Sequence, residues 1–311
     1  MIADNEPSAV EERSPVIETG GTAQVTAKTL YMDHSAFAHE EWWPELQQII
    51  EAHGLTPVLS LWNLYEIGRA GDIGQRNRRL EFIDRLTPTW MVERRPVQRR
   101  EVERFLWRHH YGVEPPDLLV LTKHLSVVEF FAAKGYARVC LTARQVVADG
   151  QFKQLDGLRR LAPDALRTLQ STTVKQRKAV EHELFISWIG ESIPDRDPTG
   201  RALTRDEKAQ LAEFCWQRRK GFYEECRSLA AENALGEARF SNPHRKPEEA
   251  DGPDLQHAAM ALPYCDLFLT RDGYLATCAE QAHQTMGPAN LARICRTPDE
   301  VASAASSPAR S

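Results

Sequence analysis

Short apolar runs alternate with amphipathic segments over the first hundred residues. The runs TLYMD, TPVLSL and PTWMVERRP have the length and composition of buried strands. Between them lie HEEWWPELQQIIEAHG, with apolar residues at helical spacing and Gly54 as a stop signal, and then WNLYEIGRAG and NRRLEFIDRL, which have the pattern of two further helices. This β-α-β-α-α-β order predicts an α/β fold with parallel strands.

From about Val97 to Leu235 the pattern becomes mostly helical, and the turn-rich segment IPDRDPTGRALTRDE interrupts it. The alternating order then returns, with a helix over 254–263, a strand over 266–270, a helix over 273–283 and a last strand near 292–296. The chain is therefore expected to form a three-layer α/β/α fold with a central parallel sheet, interrupted by a mostly helical insertion.

The two ends of the chain depart from this pattern. Residues 1–26 are polar, acidic and rich in Pro and Gly, and residues 299–311 are small and polar, so both are expected to be disordered tails. Between them we expect an α/β domain formed by residues 27–97 and 250–298, with the helical insertion at 98–249.

Composition narrows the class of protein only a little. The 311 residues are 42% hydrophobic and 27% charged, as in ordinary soluble domains, and the net charge of −5 excludes only a uniformly basic surface. No run of 18 apolar residues and no signal-peptide core is present, so a cytoplasmic protein without membrane contacts is expected. The six cysteines lack zinc-type spacing and are expected to be free thiols.

Four acidic residues lie at positions that a parallel sheet brings together. Asp33 closes the first strand, Glu66 follows the second, and Asp272 follows the strand DLFLT, while Asp254 opens a helix. The carboxyl ends of parallel strands share one edge, where ligands bind. Clustered carboxylates repel each other unless a cation or protons neutralise them. A Mg²⁺ or Mn²⁺ site is the economical expectation, and such a site can promote phosphodiester hydrolysis.

Each of these acids also has an ordinary structural interpretation. Asp254 is a favoured helix cap, Asp33 can cap the next helix, Asp272 with its following glycine can form a turn, and Glu66 can be a solvated helix residue. Only the set, in strand-end register, favours a metal site.

Four short motifs surround these acids: LYMDHSAF with Asp33 and Ser35, LSLWNLYEI with Ser60, Asn63 and Glu66, DLQHAA with Asp254, and LFLTRD with Thr270 and Asp272. In these motifs the chain resembles the PIN domain, a family of metal-dependent nucleases. Asn63 stands where this family often has Thr. The resemblance covers about residues 29–97 and 250–298 and does not reach the middle of the chain.

This resemblance implies a Mg²⁺- or Mn²⁺-dependent endoribonuclease that holds one or two ions and takes RNA as its substrate. It also suggests a toxin or defence effector, an inhibitory or regulatory protein partner, and a homodimer. The implied metal ligands are Asp33, Glu66, Asp254 and Asp272, and the implied supporting residues are Ser35, Asn63 and Thr270.

Arginine-rich stretches are the candidate nucleic-acid-binding surface. The segment RRPVQRREVERFLWRHH combines arginines with aromatic residues, which suits phosphate neutralisation and base stacking. The alternative is a solvated helix face with i,i+4 pairs to nearby glutamates. The residues proposed for binding are Arg76, Arg79, Arg94, Arg95, Arg99 and Arg100.

Two other functions stay open at this point. A non-catalytic PIN-like module that binds nucleic acid or protein would keep the fold, although it has no need of four mutually repelling acids. A different metal-dependent phosphoesterase is also compatible, although the haloacid-type DxDxT motif is absent. His257 is expected to be a core residue or a supporting residue of the site.

Overall fold

The computed structural model describes residues 27–150, 173–240, 251–287 and 291–307, with the shorter pieces 152, 155–157, 246 and 248–249. The predicted tail at 1–26 lies outside the described residues. Within the described part, one sheet has the order β4-β3-β2-β1-β5-β6, and only the β3–β4 pair is antiparallel. Its strands are β1 (Thr29–Met32), β2 (Thr56–Leu59), β3 (Thr89–Met91), β4 (Leu121–Thr122), β5 (Leu267–Leu269) and β6 (Arg293–Cys295).

Helices occupy most of the remaining described chain. The first group, up to the end of β3 and just beyond it, comprises α1 (His34–Phe37), α2 (Trp43–His53), α3 (Leu61–Arg69), α4 (Ile73–Leu86) and α5 (Arg94–Leu106). The middle group comprises α6 (Glu129–Ala132), α7 (Ala143–Asp149), α8 (Val174–Ala179), α9 (Glu181–Gly190), α10 (Arg205–Gln217), α11 (Arg219–Glu225) and α12 (Arg227–Phe240). The last group comprises α13 (Asp251–Tyr264), α14 (Gly273–Met286) and α15 (Pro298–Ser306).

Alternate residues of the central strand enter two different cores. Leu30 and Met32 of β1 pack in one core with α2, α3, α4 and α15, whereas Tyr31 packs in the other with α12, α13 and α14. This alternation follows from the two-residue period of a strand. Helices therefore cover both faces of a mostly parallel sheet, and the expected α/β class is confirmed.

The strand order places a reversal at the centre of the sheet. From β1 the chain moves outward to β2 and β3, and it later returns to the other side of β1 through β5 and β6. Such a switch point leaves a crevice outside the carboxyl ends of the two central strands. Asp33 follows β1 and Asp272 comes shortly after β5, so both predicted site residues lie at this crevice.

Residues 98–249 are less separate from the α/β domain than the predicted helical insertion would be. Helix α5 crosses the predicted boundary at residue 97, β4 extends the main sheet, and α12 packs against α13 and α14. The sequence pattern missed β4 because a strand of two residues carries almost no periodicity. A third apolar core, with Phe105, Phe185 and Phe222 at its centre, joins α5 to α9, α10 and α11.

The predicted disordered tail at 299–311 is wrong for residues 299–306, because α15 occupies Pro298–Ser306. Thr297 caps this helix through a bond from the Glu300 amide, and Val301 and Ala304 are buried in the core beside α2. Small alanine-rich sequence looked tail-like, but two apolar residues one turn apart suffice to anchor a short helix. Residues 308–311 lie outside the described part.

Two expectations from composition can be compared with the described residues. No described helix has both the length and the apolar character that crossing a membrane requires. None of the six cysteines, all within the described residues, forms a disulfide, and Cys140 is the exposed one.

Candidate metal centre

Asp33 lies at the end of β1, where the backbone passes from strand to helix. Its amide still donates to the Leu269 carbonyl of β5 at 2.9 Å, and its side chain caps α1. The carboxylate is 2% exposed, and its Oδ2 accepts hydrogen bonds from the Ser35 hydroxyl at 2.5 Å and the Thr270 hydroxyl at 2.9 Å. The buried Oδ1 accepts no hydrogen bond and lies 3.2 Å from His257 Nε2.

The Ser35 hydroxyl connects the two central strand ends. While it donates to Asp33, it accepts from the backbone amides of Arg271 at 2.9 Å and Asp272 at 3.1 Å. Thr270 Oγ1 also accepts from the Asp272 amide at 3.1 Å. Two hydroxyls therefore orient one carboxylate and hold the backbone of another, as expected of residues that support a metal ligand.

Asp272 is the residue that precedes α14. Its Oδ1 accepts from the amides of Tyr274 at 2.7 Å and Leu275 at 2.9 Å, so it caps the helix. The turn and the metal-site interpretations of this residue are compatible, because one oxygen holds the helix while the residue still lines the crevice.

Glu66 and Asn63 both come from α3, which follows β2. Asn63 forms a capping box with Ser60, and its Nδ2 donates to the Met32 carbonyl at 3.0 Å. This buried amide ties the start of α3 to the end of β1. Asn63 therefore acts on the backbone that positions the site. Glu66, one turn further along α3, is half-buried and lines the same cavity as Asp33.

Asp254 does not open its helix as predicted. Helix α13 begins three residues earlier, at Asp251, whose carboxylate accepts a hydrogen bond from the preceding Glu248 amide at 2.8 Å. Asp254 therefore lies in the first turn, and His257 follows it by three residues on the same face. His257 Nε2 lies 3.6 Å from Asp254 Oδ1, and the imidazole stacks on Tyr31 with a centroid separation of 5.7 Å.

The electrostatics link all four predicted acids. Burial raises the pKa of Asp254, the charges of Asp33 and Asp272 raise it further, and His257 opposes this. Burial lowers the pKa of His257, but Asp254, Asp33 and Glu66 outweigh burial, so its pKa is raised. Carboxyl groups therefore outnumber the imidazoles that line the site, and such crowding of acids favours a cationic ligand.

A cavity of about 180 Å³ contains this arrangement. Asp33, Glu66, Asp254 and Asp272 all line it, together with Tyr31, His34, Ser35, Trp62, Asn63, Pro253 and His257. Ligand atoms of Asp33, Asp254 and His257 all lie within 4.8 Å of one another, so this buried group has the spacing to hold a metal ion. The donor set of several carboxylates and one imidazole, with the unbonded Asp33 Oδ1, fits a divalent cation.

The predicted nucleic-acid-binding arginines are distributed differently. Arg94, Arg95, Arg99 and Arg100 line a separate cleft of about 930 Å³, which contains five arginines and six carboxylates. Arg76 is half-buried on α4, and Arg79 on the same helix is buried. The ion pairs are Arg94–Glu232, Arg99–Asp195 and Arg100–Glu103, with the Arg79 guanidinium 3.9 Å from Glu40. The large cleft is therefore no basic surface, and the proposed binding role stays a prediction.

Sequence reasoning underestimated His257, Tyr31 and Trp62, all of which line the cavity. His257 carried a usable signal, because a residue three positions after a candidate ligand shares its helix face. Tyr31 and Trp62 carried none, since buried aromatic residues in a strand and a helix have the pattern of ordinary core.

Comparison with known proteins adds no relative to this description. No protein-family model matches the chain, and no curated protein or solved structure matches it.

Proposed function

We propose that this protein is a Mg²⁺- or Mn²⁺-dependent endonuclease of PIN-like fold that hydrolyses phosphodiester bonds in RNA. The observation that supports the proposal most strongly is the lining of one cavity by four carboxylates at the switch point of a mostly parallel sheet. Four such charges are costly to keep together unless they serve a cationic ligand.

The ligand assignment follows from the geometry of each side chain. Asp33 and Asp254 are within reach of one ion, and His257 is close enough to be a third ligand or to donate a hydrogen bond from Nε2. Glu66 and Asp272 complete the acidic lining of the cavity. A bound divalent ion would supply positive charge that offsets the negative charge developing on a phosphodiester.

The chain's own residues prepare the site for this role. Ser35 and Thr270 hold Asp33 in one orientation, and α14 holds Asp272 through two amides. Tyr31 and Trp62 wall the cavity with apolar surface, which limits the access of bulk water. Such fixed carboxylates favour ion binding because little reorganisation is required.

The test is cleavage of labelled structured RNA, such as bulk tRNA, in the presence of Mg²⁺ or Mn²⁺. We expect cleavage by the wild type, and its loss with EDTA and in Asp33→Asn and Asp272→Asn. Asp195→Asn is the matched control, because Asp195 is an exposed carboxylate paired with Arg99 and Lys208.

Two results would contradict this function. Equal cleavage by the wild type and both site variants would show that the activity does not come from this site. Absence of cleavage by a folded wild type on RNA and on single-stranded DNA would favour the non-catalytic binding module instead.

A further inference from the structure

Arg239, near the end of α12, contacts both α13, which carries Asp254, and α14, which Asp272 caps. Its side chain is 6% exposed and forms an ion pair with Asp251, which is 1% exposed. Asp251 lies one helical turn before Asp254 on α13. Arg239 therefore contacts the first turn of the helix that carries one predicted metal ligand.

The same guanidinium also contacts the other site helix. It lies 4.3 Å from the centre of the Tyr274 ring, within range of a cation–π interaction. The Tyr274 hydroxyl donates to the Arg239 carbonyl at 3.2 Å, while the Tyr274 amide donates to Asp272 Oδ1. One arginine thus links the start of α13 to the start of α14.

We propose that Arg239 is a positioning residue that holds Asp254 and Asp272 in place on the wall of the cavity where a divalent cation would bind. This inference rests on the proposed metal-dependent function. It also gives the predicted insertion at 98–249 a role at the site, because α12 belongs to that segment. Groups that orient metal ligands from outside the coordination sphere commonly change metal affinity tenfold to a hundredfold.

Loss of Arg239 should change the affinity of the site for a cation in two opposite ways. Removing a nearby positive charge would by itself strengthen cation binding, because it removes repulsion. Loss of the link between α13 and α14 would weaken cation binding. A variant that removes the ion pair as a whole separates the two effects, since Arg239→Met with Asp251→Asn leaves the net charge unchanged.

The experiment is a titration of the full chain with Mn²⁺, in which isothermal calorimetry measures the binding affinity. Circular dichroism checks that each variant is folded. We expect the double variant Arg239→Met/Asp251→Asn to bind Mn²⁺ roughly tenfold to a hundredfold more weakly than the wild type. The matched control is Arg227→Met. Arg227 begins α12 and lies 5.4 Å from the ring of Tyr264, which ends α13, so this contact is at the other end of the α12–α13 pair from Arg239 and Asp251. The control is expected to bind Mn²⁺ as the wild type does.

The outcomes separate this inference from the function on which it rests. Failure of the wild type to bind Mn²⁺ would contradict the metal site itself. Wild-type affinity in the folded double variant would overturn the role of Arg239 and leave the metal site standing. If the double variant does not fold, Arg239→Lys is measured instead. It keeps the charge but lacks the planar fork, so several-fold weaker binding is expected and unchanged affinity would overturn the proposal.

Discussion

Two concave regions of this protein differ in the balance of their acidic and basic side chains. The small cavity at the switch point brings together four carboxylates and two histidines, His34 and His257, and Asp33 Oδ1 is buried without a hydrogen bond. The large cleft beside α5 contains five arginines and six carboxylates, and three of those arginines form ion pairs. The small region is therefore electrostatically unbalanced, whereas the large one is nearly neutral.

The difference shows which charges are candidates for function. Two of the ion pairs in the cleft, Arg94–Glu232 and Arg99–Asp195, join α5 to other segments, and Arg100–Glu103 lies within α5. Because these arginines are already paired, they have less capacity to neutralise a bound phosphate. Like charges in the cavity destabilise the fold unless a ligand offsets them. Cleft size alone would have selected the region whose charges are nearly balanced.

The largest expected effect is that of Asp254→Asn in the cavity. We expect a loss of metal-dependent RNA cleavage of about a thousandfold, or about 4 kcal/mol of transition-state stabilisation. In metal-free buffer near neutral pH the stability should rise, because an ionised carboxylate whose pKa is raised by burial is replaced by a neutral isostere. RNA cleavage rates and urea unfolding measure the two effects, and a stability loss with normal activity would contradict the assignment.

Ser35→Ala should produce the next largest effect. The Ser35 hydroxyl orients Asp33 and accepts hydrogen bonds from the amides of Arg271 and Asp272. Its loss should therefore lower the cleavage rate tenfold to a hundredfold. Unfolding in urea should show a loss of about 1–2 kcal/mol. Ser306→Ala is a suitable control, since that hydroxyl bonds only to a carbonyl within α15. Unchanged cleavage in Ser35→Ala would show that Asp33 needs no such support.

Arg94→Met tests the opposite region. The half-buried ion pair with Glu232 should contribute about 1–2 kcal/mol to stability, and its loss should leave cleavage within about twofold of the wild type. A double-mutant cycle with Glu232→Gln measures the pair by urea unfolding. If Arg94 contacts the nucleic acid instead, the variant will bind RNA more weakly and with a smaller salt dependence.

Glu93→Gln has the smallest expected effect, and Glu93 lies between β3 and α5, immediately before Arg94. Burial raises the pKa of Glu93 to about 7, although Arg94 opposes this. The folded state therefore favours the protonated acid, so stability is greatest below about pH 4.5 and falls as pH rises through 7. The variant should be about 1 kcal/mol more stable than the wild type at pH 8.5, after allowance for solvent screening, and equal near pH 4.5.

Urea unfolding at both pH values checks this prediction. Equal stability of variant and wild type at pH 8.5 would show that Glu93 ionises without cost. Arg95→Gln, at an exposed neighbouring position, controls for a general change of charge near α5.

The local pattern of the sequence was sufficient for the α/β class and for the acids at the sheet edge. Strands β1, β2, β3 and β5 are short, mostly apolar runs, and β6 lies within the range predicted for the last strand. Gly54 ends α2 as predicted, and it does so in the left-handed conformation. Because parallel strands carry their carboxyl ends to one edge, strand assignment was enough to place Asp33, Glu66 and Asp272 together. These features depend on local spacing, which a sequence contains directly.

Only the tertiary structure decided which charges are paired and which are not. Glu232 meets Arg94 across 138 positions of chain, and His257 reaches Asp33 across a longer span still. The ion pair of Arg239 with Asp251, the two-residue strand β4 and the anchoring of α15 also depend on distant partners. A charge has the same symbol in a sequence whether it is solvated, paired or crowded by like charges, and packing alone determines its free energy.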